Sequence, residues 1–126
     1  MNHQLAELVP DYQTKLNLDR EPISQTMLAQ QYGDMADEML TELLPMLLQE
    51  SEQIYQSLID AETEADAEGV WQAAHMLRGA AVSIGAVVLA DLCDVVEIVG
   101  KANVLSLAAE PIKHISAELV RLSSKQ

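Results

Sequence analysis

The sequence predicts an all-α fold, an antiparallel four-helix bundle with an additional short N-terminal helix or arm. Three observations predict it. Apolar residues recur at helical spacing in four long runs. Short connections carrying polar residues or glycine separate those runs. No stretch alternates as a strand between hairpin turns would. The composition agrees: 49% of the 126 residues are hydrophobic but only 3% are aromatic, with no Phe, so Leu, Val, Ile, Ala and Met must fill the interior. Such a length holds one core, not two.

Residues 1–20 are weakly patterned, Pro10 and Asp11 interrupting a helix-friendly stretch, and are expected to form an N-terminal arm or short helix beside a bundle over 21–126. Within Ile23–Tyr32, apolar residues at 23, 27, 28 and 32 predict a short helix that Gly33 stops. Asp34 is the expected cap of the long run 35–65, whose apolar positions 36, 39, 40, 43, 47, 54, 58 and 61 follow helical spacing. Pro45 removes a backbone donor there and predicts a kink near 41–45. "ETEADAEG" at 62–69 is a solvated turn. The segment 66–84 draws one seam through Val70, Ala74, Leu77, Ala81 and Ile84 before Gly85 breaks it. A helix over 86–100 places Leu89, Leu92, Val96 and Val99 on its seam and is expected to end at Gly100. The last, over 103–123, shows Ala108, Ile112, Ile115, Leu119 and Leu122, with Pro111 kinking it or starting its regular part.

Charge narrows the function. Twenty acids against seven bases give a net charge of −13, a field that repels polyanions, so neither nucleic acid nor an anionic membrane surface is an expected partner. No apolar run approaches a membrane span, and the first residues lack the layout of a signal peptide. The lone Cys93 excludes an internal disulfide and suits a reducing compartment. A cytoplasmic, monomeric protein is expected, and Met1 with the polar end "RLSSKQ" leans toward a free-standing small chain.

"AHMLRGAAVSIGA" at 74–86 carries the chemistry. With Ala74 set at zero on the helical wheel, the seam clusters around roughly −50° and His75 falls near +100°. The imidazole therefore faces solvent. Arg78, at about +40°, and Gly79, at about +140°, flank it, with Trp71 and Val82 near +60° and +80°. A glycine inside a helix costs about 1 kcal/mol against alanine and needs a reason of packing or access. If the chain reverses at Gly85, His75 lies ten residues before the turn and Glu97 twelve after it, at similar heights on neighbouring helices. Ala86, Ala90, Cys93 and Glu97 form one narrow stripe there. Glu97 is then placed to accept from one ring nitrogen of His75, fixing the tautomer and leaving the other nitrogen as a nucleophile.

"HMLRG" at 75–79, "GA" at 85–86, Leu89, Cys93 and Glu97 together resemble the histidine-containing phosphotransfer (HPt) domains of multistep two-component signalling. The resemblance is dense over 70–100 and departs from the usual pattern at Arg78, where lysine is customary. It implies a phosphorelay intermediate in which His75 takes a phosphoryl group from an aspartyl-phosphate receiver domain and passes it to another. Arg78 would offset the phosphoryl charge, Gly79 would admit the partner and Glu97 would orient the ring. It further implies response-regulator receivers and a hybrid sensor histidine kinase as partners. No cofactor of its own is expected, magnesium belonging to the receiver, and no kinase activity, since no ATP-binding segment is present. Trp71, Gln72, Met76, Val82 and Met27 are the expected docking residues.

Two other readings compete. A metal-binding bundle would use His75, Cys93 and Glu97, though without the tight spacing of C-x-x-C or H-E-x-x-H. A helical adaptor would keep the HPt fold and lack phosphotransfer. Cys93, beside the seam, suits a small buried residue better than a nucleophile. His3 and His114 have no motif around them and are expected at the surface.

Overall fold

The computed structural model describes residues 3–126, the side chain of His3 excepted, and among them no strand occurs. The surface placement expected of His3 thus lies outside the described residues. Seven α-helices follow in order: α1 (His3–Leu8), α2 (Tyr12–Lys15), α3 (Gln25–Tyr32), α4 (Ala36–Thr63), α5 (Ala67–Ser83), α6 (Val87–Lys101) and α7 (Ala109–Ser123). The last four are the long ones, joined by short connections, and they form an antiparallel bundle. Packing is most extensive between α5 and α6, then between α4 and α5 and between α6 and α7.

The connections explain the helix ends. Asp66 caps α5, its carboxylate accepting from the Gly69 amide at 3.0 Å. Gly85, at φ +69°, turns the chain from α5 into α6. The short α3 lies against that turn: Ser24 N–H donates to the Gly85 carbonyl at 2.7 Å, Gln31 Nε2 to Val82 O at 2.8 Å and the Tyr32 hydroxyl to Ser83 O at 2.7 Å. The Ser83 carbonyl at the end of α5 thereby gains a partner from α3, and the Val82 and Gly85 carbonyls, which also accept from the Gly85 and Val87 amides, gain a second.

Several elements depart from the sequence expectation. Helix α3 begins at Gln25, not Ile23: the Ser24 hydroxyl accepts from the Met27 amide, and Ile23 is buried just outside the helix. Asp34 is no cap. It lies in a 3-10 turn over Gly33–Met35 that runs into α4, and Met35 precedes that helix without a capping side chain. The buried stripe of α4 is Leu44, Leu48, Ser51, Ile54, Leu58 and Ala61, while Leu43 and Leu47 are half-buried, so the seam through the first half is rotated by one residue. Helix α4 does continue through Pro45, in keeping with a proline that kinks a helix without breaking it. Gly100 does not stop α6, which runs to Lys101; Asn103, at φ +58°, turns the chain instead. A Cβ on Gly100 would lie 2.8 Å from the Trp71 Cβ and 3.2 Å from the Ala67 carbonyl, so this glycine lets α6 approach α5. Pro111, the third residue of α7, belongs to its first turn, where a missing N–H costs nothing.

Helix α6 is buried on more faces than its expected seam, with Val88, Ala90, Cys93, Val95, Glu97 and Gly100 inside as well. A helix covered by α5 and α7 alone would leave one side wet. The N-terminal arm covers that side: α2 packs on α6, and Leu5, Val9 and Tyr12 are 0–2% exposed in the common core. Burying the Leu5 and Val9 side chains contributes about 2 kcal/mol each.

Candidate functional site

The 4-3-4-3 apolar seam of α5 buries Val70, Ala74, Leu77 and Ala81 and so rotates His75 outward, its side chain 59% exposed. Gln72, Met76, Gly79 and Val82 are exposed on the same helix, and their spacing places them on the face His75 occupies. Glu97, brought alongside by the short turn at Gly85, is 7% exposed and has its Oε1 3.0 Å from His75 Nδ1.

The proton can be assigned from the partners. Burial works to raise the pKa of the Glu97 carboxyl. The bonds from His75 and Lys101 and the charges of Arg78 and Lys101 outweigh it and hold the group below its ordinary value. An ionised carboxylate only accepts, so Nδ1 carries the hydrogen and donates it. Arg78 Nη2 lies 3.3 Å from the same Nδ1, but two donors cannot share a protonated nitrogen. The guanidinium's real partners are Glu97 Oε1 at 3.4 Å and Asp94 Oδ1 at 3.6 Å. In the neutral ring the lone pair is then on Nε2.

Glu97 is held in turn. Lys101, one helical turn on, donates to its Oε2 at 3.1 Å and lies 4.8 Å over the Trp71 ring. Trp71 is half-buried and therefore flanks the site beneath Lys101 instead of standing free. Arg78 flanks His75 as expected, but its side chain, 35% exposed, also reaches across to the acids of α6. Met27, half-buried on α3, is placed at the α5–α6 turn, about two helical turns beyond His75.

The glycines separate packing from access. Added Cβ atoms at Gly69, Gly85 and Gly100 would crowd neighbouring groups, whereas at Gly79 a Cβ would meet nothing within 4 Å. Among the described residues nothing requires a glycine at 79.

The competing chemistries fit poorly. Cys93 is wholly buried, and burial pushes its thiol far above the ordinary range, so it offers neither a thiolate nucleophile nor a metal ligand. Among the described residues no three His, Cys, Asp or Glu side chains are disposed to hold a metal ion. His114 is half-buried, 4.0 Å from Glu110, and lines a groove against residues 13–19; its expected free exposure is thus only partial. Lys101 and Asp94 are site residues that the sequence did not single out. Glu97 to Lys101 has the i, i+4 spacing of a helical ion pair, which was the available signal.

A helical bundle that presents an imidazole to solvent and orients it with a buried carboxylate defines a class of protein built to carry a group, not to enclose a substrate. The comparisons agree with that class. The chain belongs to the Hpt domain family, whose model matches residues 42–125. It is similar to the crystal structure of histidine-containing phosphotransfer protein B (HptB) from Pseudomonas aeruginosa PAO1, with a TM-score of 0.71 and 28% identity over 80% of this chain and 87% of that one. A comparison with curated proteins finds no match. Hpt domains are phosphocarriers, not kinases, and work with receiver domains in two-component phosphorelays. Among the described residues no helix is long and apolar enough to cross a membrane.

Proposed function

We propose that this protein is a phosphorelay intermediate that takes a phosphoryl group from the aspartyl phosphate of one receiver domain onto Nε2 of His75 and delivers it to the aspartate of another. The contact between Glu97 and Nδ1 carries the reading, because it fixes which nitrogen is nucleophilic. In the forward step the Nε2 lone pair attacks phosphorus in line. The acyl phosphate P–O bond breaks, the receiver's aspartate leaves as a carboxylate, and an N–P bond forms. The ring keeps its Nδ1 hydrogen, and the positive charge it gains is offset by Glu97 3.0 Å away. Delivery to the second receiver reverses these events.

Arg78 and Lys101 supply cationic charge beside the phosphoryl group. Magnesium is assigned to the receiver. The docking surface is centred on Gln72, Met76, Gly79 and Val82 around His75, with Trp71 and Met27 at its margins. It is a modest patch, suited to partners that must exchange. A hybrid sensor kinase upstream, a cytoplasmic location and a monomeric state complete the proposal.

Gly79 gives a test in which stability and function part. Alanine there meets no steric obstacle, so Gly79→Ala should raise stability by about 0.5–1 kcal/mol, read by urea unfolding. The same change should slow transfer, since a side chain now stands where the receiver approaches. Faster or unchanged transfer would remove the access role. The function itself is tested with a panel of phosphorylated receivers: label should pass to this chain, stable to base and labile to acid, and failure with every receiver would overturn the reading.

A further inference from the structure

The family match begins at residue 42, yet the charges of the site reach back to residue 15. Lys15, on α2, places its Nζ 2.8 Å from Asp94 Oδ2, while Oδ1 of the same carboxylate faces Arg78 Nη1 at 3.6 Å. Arg78 in turn contacts Glu97, the carboxylate that holds His75. One acid on α6 is thus shared between a cation of the arm and a cation of the site.

Lys15 is not a loosely paired surface lysine. Its side chain is 17% exposed. Burial works to lower its pKa, but the bond it donates to Asp94 and the charges of Asp94, Asp91 and Asp11 raise it overall, so the ammonium stays charged. The segment behind it is strapped down. Arg20 donates to the carbonyls of Lys15 and Asn17 and pairs with Asp91 at 2.7 Å. Arg121, from α7, donates to the carbonyls of Leu18 and Arg20. Below the strap, Leu5, Val9 and Tyr12 anchor the arm in the core.

We propose that Lys15 is a positioning residue for phosphoryl transfer: by neutralising Asp94 it leaves the Arg78 guanidinium available to the phosphoryl group on His75. The proposal rests on the phosphotransfer reading above. An uncompensated Asp94 would act twice against transfer, drawing Arg78 onto itself and repelling the incoming dianion. In a loose transition state, with charge spread over the equatorial oxygens, catalysis consists largely of such electrostatic stabilisation.

The test is a cycle of full-length variants, Lys15→Met, Asp94→Asn and the double variant, with Lys15→Arg as rescue. Transfer rate from a phosphorylated receiver, the NMR signal of the Arg78 Nε–H and thermal unfolding are read for each. Lys15→Met should slow transfer at saturating receiver by about fivefold, the size expected of coupled neighbouring groups, and should shift the Arg78 signal. Lys15→Arg should restore both. In the Asp94→Asn background the loss of Lys15 should change the rate by less than about twofold and leave the Arg78 signal in place. A Lys15→Met defect of equal size in that background, or an unmoved Arg78 signal, would overturn the proposal by reducing Lys15 to a support of the fold. Wild-type protein that takes no label on His75 would overturn the phosphotransfer reading and this proposal together, whereas label without an Asp94-dependent effect would overturn this proposal alone.

Discussion

A His75→Gln variant is expected to take no label from any phosphorylated receiver while unfolding within about 0.5 kcal/mol of the wild type, the range of an ordinary surface substitution. The two halves follow from one geometry. The ring is 59% exposed and contributes little to the core. Losing its bond to Glu97 leaves that carboxylate paired with Lys101 at 3.1 Å and Arg78 at 3.4 Å, so no buried charge is orphaned. Glutamine has an amide of similar reach but no nucleophilic nitrogen. Transfer assays with circular dichroism melts on the same samples check both halves. Residual label at the wild-type level would move the acceptor to another side chain, and a collapse of the fold would mean that His75 is structural.

The largest loss of stability is expected far from that site, at Arg121→Ala. Glu118 is 1% exposed on α7, and the Arg121 guanidinium meets its Oε1 at 2.8 Å. Burial raises the Glu118 pKa, and the charges of Arg121 and Arg20 only partly counter it. Among the described residues its Oε2 has no hydrogen-bond partner. Removing the guanidinium leaves a buried carboxyl without its main partner and frees the carbonyls of Leu18 and Arg20. Breaking a buried pair from one side costs about 3–5 kcal/mol; with Arg121 34% exposed, about 2–3 kcal/mol is the expectation here. Replacing both partners, as Glu118→Met with Arg121→Leu, should recover much of it. Urea unfolding with an unchanged slope reads the difference, and a single variant as stable as wild type would refute the clamp.

These two residues mark the limits of what the sequence discloses. His75, Arg78, Gly79 and Glu97 were legible because a helix converts spacing into direction, and a three-residue turn at 84–86 converts distance along the chain into height. The seams of α5 and α7 were legible for the same reason. The roles of Arg121 and Lys15 were not: Arg121 reaches back to the carbonyls of Leu18 and Arg20, Lys15 meets Asp94 79 residues away, and periodicity carries no information on contacts between an arm and a bundle. The stripe of α4 was displaced because Leu43, Leu44, Leu47 and Leu48 are adjacent apolar pairs, either of which fits helical spacing. Gly100 reads as a stop because a glycine for close approach and a glycine for a turn look alike in one sequence. The structure separates them by backbone angle and by what a Cβ would touch.

The central claim is that Glu97 holds the hydrogen of His75 on Nδ1 and thereby makes Nε2 the phosphoryl acceptor. Long-range proton–nitrogen NMR of the imidazole, before and after transfer, tests it most directly. The predicted result is a neutral ring protonated at Nδ1 and, after transfer, phosphorus bonded to Nε2, with Glu97→Gln weakening the tautomer preference. A ring protonated at Nε2, or phosphorus on Nδ1, would contradict the account.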